Sequence, residues 1–302
     1  MDDPKNSAEK SVLYVVATPI GNLSDMTFRA VDILKSVDVI AAEDTRHTAR
    51  LLSFFNIRAK LVSCHEHNEN QRAEQLINRL VSGQSVALVS NAGTPSVSDP
   101  GYRIVKEAVA AGIKVVPLPG ASAVVTAISA SAMPTDMFCF VGFLPKKKGS
   151  QSALLRSLSE RRETLVFYES PRRLLPLLST IKNHMGDRYA VIARELTKIH
   201  EEFIRGRISE LIGQIEDRAV LKGEVTLLVA GRPETAGEDA ETLEAEITKL
   251  ILKDNLSTAM LAARLAKRYN LSKSDIYQEV IKVKSRMKNN GNGDKKGDFA
   301  DG

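Results

Sequence analysis

Four segments of this sequence combine turn-forming residues with polar side chains: Thr18-Pro19-Ile20-Gly21-Asn22, Glu43-Asp44-Thr45-Arg46, the run from Ser90 to Gly101 (SNAGTPSVSDPG), and Pro117 to Ala123 (PLPGASA). Proline and glycine at such points fix tight turns and let a ligand approach the backbone closely. Each segment follows a short β-branched run, and open parallel sheets gather their ligands at the carboxyl ends of strands. No GxGxxG follows the first of these runs, and neither GxxxxGK[ST] nor GxSxG occurs. The usual dinucleotide and nucleoside-triphosphate cradles and the nucleophile elbow are therefore excluded. Backbone turns without a phosphate nest suit a small polar ligand that carries no phosphate. His65-Glu66-His67 sets two imidazoles on one strand face, but no third ligand lies at useful spacing and HExxH is absent, so no metal is expected. Cys64 and Cys139 are isolated, which argues against a disulfide framework and a CxxC knuckle, as in a reducing cytoplasm.

The elements that must position these loops alternate regularly. Strand-like runs at Leu13–Ala17, Val37–Ala41, Lys60–Cys64, Val86–Val89 and Ile113–Val116 are separated by segments with apolar spacing of three and four, at Met26–Val37, Thr45–Phe55, Gln71–Val81 and Tyr102–Ala111. Gly83 and Gly112 stand where two of these helices should stop. The alternation predicts a largely parallel sheet covered on both faces, each strand buried on both sides. A second set of strands is expected at Phe138–Phe143, Thr164–Tyr168, Tyr189–Ala193, Glu202–Arg205 and Glu224–Ala230, with helices near Ser152–Ser159, Pro171–His184 and Ser209–Glu216. Ser170-Pro171 reads as an N-cap followed by proline at the first helical position. The gap from Ala193 to Glu202 is too short for a parallel crossover, so the second sheet should be mixed. After a linker at Pro233–Asp239 come helical stretches at Ala240–Lys253, Ser257–Tyr269 and Ser272–Lys288, with Ser257 and Ser272 or Ser274 as caps. From Asn289 the Asn/Gly/Lys/Asp composition predicts disorder.

The length of 302 residues, with 43% hydrophobic and 26% charged, fits two α/β domains, 11–120 and 121–232, a basic helical module at 240–288 and a tail at 289–302. No run approaches the ~18 apolar residues of a membrane span, and the polar, acidic start (Met1-Asp2-Asp3-Pro4) is unlike a secretory signal or transit peptide. The net charge of +5 is modest, but its distribution is uneven. Between Ser257 and Lys288, Arg264, Lys267, Arg268, Lys273, Lys282, Lys284, Arg286 and Lys288 are opposed by Asp275 and Glu279 alone, while the remainder is nearly neutral. Such a module fits either a polyanion handle or a solvated helix face.

The ordered set of motifs resembles the tetrapyrrole-methylase superfamily, and within it the branch that methylates ribosomal RNA. The resemblance rests on YVVATPIGNL (14–23), AEDTR (42–46), SNAGTPSVSDPG (90–101), PGASA (119–123), GFLP (142–145), FYESPRR (167–173), ARELTK (193–198) and KGEVTL (222–227). It implies a tetrapyrrole-methylase-like α/β fold with a parallel sheet, then a mixed sheet, and a cleft between them that binds S-adenosylmethionine. It further implies a homodimer and methylation of the 2′-hydroxyl of a decoding-centre cytidine in 16S rRNA. An assembled small subunit in the cytoplasm is the expected substrate, because a dimer with two small basic modules needs a preformed surface to find one ribose. By motif, the implied cofactor contacts are Pro19, Gly93, Thr94, Pro95, Ser96, Val97, Ser122, Ala123, Tyr168, Ala193, Glu224, Val225 and Thr226. Where tetrapyrrole methylases commonly carry Gly-Asp-Pro, this chain has Gly93-Thr94-Pro95, which speaks against a porphyrinoid substrate.

Methyl transfer to a ribose oxygen needs alignment, worth ~7–11 kcal/mol, and gains about 10²–10⁴-fold from a general base. Candidate bases are Asp44, Asp99 and Glu169, with Lys198 if burial lowers its pKa. Arg46, Arg172, Arg173 and Arg194 are candidates for holding RNA phosphates, as are Lys146, Lys147 and Lys148 and, in the module, Arg264, Lys267 and Arg268. Plainer roles compete: Asp44 and Ser170 as helix caps, Asp99 as a turn stabiliser, Arg172 and Arg173 as solvated side chains. Asp99 and Arg46 are expected to matter most. Aromatics are 5% and Trp is absent, so recognition should rest on shape, phosphates and the 2′-hydroxyl rather than on stacking. The alternatives are a tetrapyrrole methylase and a non-catalytic RNA-binding assembly factor.

Overall fold

A computed structural model describes residues 7–218, 221–233, 238–253, 257–269 and 271–291. Residues up to Arg232 form one compact unit and those from Pro233 a second. The first unit opens with β1 (Val12–Val16), α1 (Phe28–Ser36), β2 (Val39–Ala42), α2 (Thr45–Phe54), β3 (Leu61–Ser63), α3 (Glu69–Val81), β4 (Val86–Val89), α4 (Tyr102–Ala110) and β5 (Lys114–Leu118). It continues with α5 (Ala123–Ser129), β6 (Phe138–Phe143), α6 (Lys148–Leu158), β7 (Thr164–Glu169), α7 (Pro171–Met185), β8 (Tyr189–Arg194), β9 (Glu202–Arg207), α8 (Ile208–Glu216) and β10 (Val225–Val229).

The first sheet is wholly parallel, in the order β3-β2-β4-β1-β5. The period-two alternation of a strand divides its core: Val12, Tyr14 and Val16 of β1 pack on one face with Ile33 and Leu34 of α1, while Leu13 packs on the other with Leu76, Leu80 and Ile104. β2 and β4 are buried throughout. The expectation of two-sided burial fails for β3 and β5, whose residues are mostly half-exposed, because these are the edge strands. Thr27 caps α1, its side chain accepting from the Ala30 N–H, and Asp44 caps α2 through the Arg46 N–H. Gly83 and Gly112 end α3 and α4 at φ +93° and +69°, the left-handed conformation that glycine adopts without cost.

The second sheet runs β6-β7-β10-β8-β9, parallel for β6–β7 and antiparallel elsewhere. The β8–β9 pair is the tight antiparallel connection that the short spacing demanded. α5 was not expected from the sequence. It buries Val124, Ala127 and Ile128 against Val166, Val191 and Leu228 of the second sheet. At the start of α7, Pro171 occupies the first turn as expected, but the Ser170 hydroxyl makes no capping bond. The Glu169 carboxylate accepts the Ser170 N–H instead (2.8 Å).

The second unit holds α9 (Glu238–Lys253), α10 (Thr258–Tyr269) and α11 (Lys273–Gly291), packed through Leu243, Ile247, Leu261, Leu265, Ile276 and Val280. Ser257 and Ser272, rather than Ser274, accept the N–H groups of the first turns. Residues 289–291 still belong to α11; the rest of the tail expected to be disordered, most of the linker and the Asn270 joint lie outside the described residues.

Candidate active site

The chain leaves β1 towards β2 on one side and β4 towards β5 on the other. This opens a crevice between their carboxyl ends, where open α/β sheets take ligands. The two loops are stapled there. Thr18 N–H donates to the Gly93 carbonyl (2.9 Å), Gly93 N–H returns to Thr18 (3.0 Å), and the Thr18 hydroxyl donates to Ser90 O (3.2 Å). Gly93 sits at φ +78°, and Ser96 and Ser98 adopt φ +70° and +63°, conformations that persist only when surrounding contacts enforce them. The far end is anchored by Glu69, whose carboxylate accepts the Gly101 N–H (2.9 Å) and the Arg103 N–H (3.2 Å). At Gly120 a Cβ would stand 2.8 Å from that of Ala17, so the turn after β5 packs flat on the end of β1.

The opposite wall is set by strand register. Thr226 of β10 lies between Tyr168 of β7 and Ala193 of β8, and Val225 between Glu169 and Arg194, so residues distant in sequence form adjoining rows. The Tyr168 ring packs edge-on to Phe140 (5.0 Å between centroids) and tilted against Phe143 (5.5 Å). Burial, and then the charge of Asp99, push its phenol up to about 12, so it stays a neutral donor. Gly223 at φ +99° lies where a Cβ would collide with Glu195, which draws the loop before β10 against the loop after β8.

Between these walls lies a cavity of about 320 Å³. Of the residues singled out for a cofactor, Gly93, Thr94, Val97, Ser122, Ala123, Tyr168, Ala193, Glu224, Val225 and Thr226 line it. Pro19 instead lines a smaller neighbouring cavity, while Pro95 is buried and Ser96 half-buried behind the wall. Asp99 faces the cavity, its carboxyl pushed up to about 6 by burial first and the Glu43 charge second, against a lowering contribution from Ser90. Ile20, Ser98, Phe143, Leu196 and Gly223 also line it and were not singled out from sequence. All five lie inside the quoted motifs, which was the available signal.

Of the other expected catalytic groups, Asp44, Arg46 and Lys198 stand apart from this cavity and Glu169 reaches it. Asp44 is the cap of α2 and pairs with Arg46 (3.4 Å), whose side chain is 88% exposed. Hydrogen bonding to the Arg46 N–H holds the Asp44 carboxyl below its ordinary value. Lys198 lines the smaller cavity, and the condition for its acting as a base is not met. Desolvation pulls its pKa down, but Glu195 (2.7 Å) and Glu224 (3.0 Å) more than offset this and keep it an ammonium. Glu169 reaches the cavity with 1% of its side chain exposed and is paired with Arg173 (3.2 Å).

That pairing removes Arg173 from the expected phosphate contacts, since it also donates to the Leu144 carbonyl. Arg194 is committed likewise, to Glu202 (2.5 Å) and to the Lys222 carbonyl (2.9 Å). Arg172, Lys146, Lys147, Lys148 and Arg264 are exposed. The side chains of Lys267 and Arg268 lie outside the described residues. His65 and His67 meet edge to face, 6.0 Å between ring centroids, and among the described residues no three His, Cys, Asp or Glu are grouped to hold a metal.

The lining states what the cavity suits. Its side chains are mostly small or apolar, with three carboxylates (Asp99, Glu169 and Glu224) and no Lys or Arg among the described residues. An anionic, phosphate-bearing cofactor would find no Lys or Arg in this lining to receive it, whereas a nucleoside with a cationic centre would be favoured beside the unpaired Asp99. S-adenosylmethionine, with its sulfonium and ammonium charges, fits this lining.

Comparison with known proteins agrees with that chemistry. Residues 12–212 match the family described as Tetrapyrrole (Corrin/Porphyrin) Methylases. Proteins named ribosomal RNA small subunit methyltransferase I are similar over nearly the whole length. The one from Micromonospora olivasterospora is 43% identical over 91% of this chain and 88% of its own, and that from Vibrio cholerae is 48% identical over 88% and 93%. Among solved structures, a uroporphyrin III C-methyl transferase from Thermus thermophilus superposes with TM-score 0.53 at 17% identity, covering 72% of this chain and 96% of its own. A diphthine synthase gives TM-score 0.55 at 17% identity, covering 72% and 90%. At these identities the structural likeness speaks for the fold alone.

Proposed function

The chain belongs to the tetrapyrrole methylase family, and from that premise we propose that it is an S-adenosylmethionine-dependent methyltransferase of small-subunit ribosomal RNA, acting on the 2′-hydroxyl of a decoding-centre cytidine. The observation that carries the reading is the acidic, cation-free cleft built from main-chain turns on one side and the Tyr168–Thr226–Ala193 row on the other. The named relatives, close to half identical over most of their length, support ribosomal RNA as the substrate class. Thr94 in place of an aspartate and the basic stretch 257–288 within the second unit support RNA over a porphyrinoid.

When bound, S-adenosylmethionine supplies a methyl group already activated on a positively charged sulfur. Gly93, Thr94, Val97, Ser122, Ala123, Tyr168, Ala193 and the Glu224–Thr226 segment hold it in this reading. The protein's own task is to keep a ribose oxygen aligned with that methyl and to exclude water. Asp99 would take the proton of the ribose hydroxyl as that oxygen is methylated. A carboxyl displaced to about 6 is matched to this work near neutral pH, ionised yet more basic than an ordinary aspartate. The second unit supplies affinity for the assembled small subunit in the cytoplasm; among the described residues no helix is long and apolar enough to cross a membrane. A homodimer belongs to the same reading, as the family resemblance implies.

The experiment is transfer of radiolabelled methyl from S-adenosylmethionine to 30S subunits of a strain lacking the modification, with mass mapping of the product. Label on a ribose of 16S rRNA is expected. Transfer to uroporphyrinogen but not to subunits, or subunit binding without turnover, refutes it.

A further inference from the structure

Beside the cleft lies a second cavity of about 280 Å³, and Ile20, Ala92 and Glu224 belong to the walls of both. Its chemistry is the opposite of its neighbour's, for it gathers His47, Arg50 and Lys198. His47, Arg50 and Leu51 recur at i, i+3 and i+4 of α2 and therefore share one helix face. His47 and Arg50 are exposed and pair with no carboxylate among the described residues, whereas Arg173 and Arg194 are committed internally. The remaining wall includes Pro19 and Leu23 together with Asn91. Asn91 is held at both ends: its N–H donates to Glu43 Oε2 (3.3 Å), and its Oδ1 accepts the Asp44 N–H (3.2 Å). With that oxygen occupied, the side chain has its NH₂ donors left for a ligand.

We propose that this second cavity receives the target nucleotide, extruded from the RNA, with Asn91 as the residue that selects its base. The phosphate meets Arg50 and His47, the base lies against Pro19, Leu23 and Leu51, and the ribose stands at the rim shared with the cleft. An extruded base is read by hydrogen bonds to its Watson–Crick edge. Cytosine offers acceptors at O2 and N3, which match the donors of Asn91, while uracil presents an N3–H that does not. The inference rests on the methyltransferase reading and adds where the substrate sits and what discriminates it.

The probe is cytidine 5′-monophosphate, added to protein saturated with S-adenosylhomocysteine and followed by amide chemical shifts. Shifts at residues 19–23, 47–51 and 91 are expected, with uridine 5′-monophosphate weaker by about tenfold or more because a donor would be left facing a donor. Asn91→Leu should abolish that difference. Arg50→Glu should raise KM for 30S subunits by about tenfold or more, because a carboxylate would face the phosphate in place of a guanidinium. Affinity for S-adenosylmethionine should stay unchanged, a split that a general loss of structure would not produce. Wild-type KM in Arg50→Glu, or undiminished preference for cytidine in Asn91→Leu, overturns the inference while leaving the methyltransferase reading intact. Nucleotide shifts at the cavity in a protein that transfers no methyl to subunits overturn that reading and leave the cavity assignment standing.

Discussion

Replacing Asp99 by asparagine should make the protein more stable and nearly inactive at once. The carboxyl is half-buried in the cleft wall, and its pKa rises from an ordinary 3.8 to about 6, chiefly through burial and then through the charge of Glu43. A raised folded-state pKa means that the native protein holds the proton more tightly than the unfolded chain does. Ionisation of Asp99 therefore costs stability: nothing well below pH 4, increasingly between pH 4 and 6, and fully above pH 6. Two units correspond to about 3 kcal/mol, and solvent screening at a partly exposed site reduces this to about 1–2 kcal/mol. Asn keeps the shape and removes the charge, so Asp99→Asn should gain about 1–2 kcal/mol at pH 7.5, or roughly 2–8 °C in Tm for a unit of this size. At pH 4.5 the gain should shrink to about a third of that. Methyl transfer to 30S subunits should fall about 10²–10⁴-fold with loss of the base. Urea titrations of the cofactor-free protein at the two pH values, beside the transfer assay, read both effects. An equal gain at pH 4.5 and 7.5, or none at either, would show that the carboxylate is not desolvated. Full turnover in Asp99→Asn would remove it from proton transfer.

Arg194→Ala should lower stability by about 1 kcal/mol, since it leaves the Lys222 carbonyl without its donor and Glu202 with Arg218 alone. KM for subunits should stay unchanged, and a rise in KM without loss of Tm would return Arg194 to a role in holding RNA. Ala193→Leu pushes a branched side chain into the row beside Thr226. Overpacking of about 1–3 kcal/mol is expected, and calorimetry should show S-adenosylmethionine affinity reduced while circular dichroism stays native. Truncation after Arg232, at the boundary between the two compact units, should keep cofactor binding and weaken RNA binding. The salt dependence of RNA affinity should also become shallower, by about 0.7–0.9 in log–log slope for each phosphate that the second unit neutralises.

Local rules made much of the fold readable. Glycine at 83 and 112 marked helix ends, and the short Ala193–Glu202 spacing by itself dictated an antiparallel pair. α5 escaped because Ala-Val-Val-Thr-Ala-Ile-Ser is short and β-branched, so its helicity comes from packing on Val166, Val191 and Leu228 rather than from propensity. The loops of the first sheet were legible for the same local reason, as Pro and Gly announce where backbone meets ligand. The residues of the opposite wall were reached only through the family resemblance, because the adjacency of Tyr168, Thr226 and Ala193 is a matter of register between strands far apart in the chain. Arginine roles were the least legible. Nothing within a few residues of Arg194 shows that the Lys222 carbonyl will take one of its donors, nor does the sequence around Arg50 show that α2 turns it towards a cavity beside Lys198.

The distribution of ion pairs supports the proposed choice of Asp99, among three carboxylates in one cleft, as the group that moves a proton. Glu169 is paired with Arg173, and Glu224 with Lys198, which also lines the second cavity. Asp99 has no ion-pair partner among the described residues and has Glu43 as a like-charged neighbour. Burial and the like charge of Glu43 disfavour the ionised form of Asp99 and so raise its basicity. Two carboxylates of the cleft wall are thus engaged in ion pairs, and the third stands unpaired with its pKa raised. Phosphate-binding cations could not have been added to the same wall without forming a pair with Asp99 and removing that basicity. Their confinement to the α2 face and Lys198, across the rim of Ile20, Ala92 and Glu224, lets one crevice take a cationic donor and a polyanionic acceptor side by side.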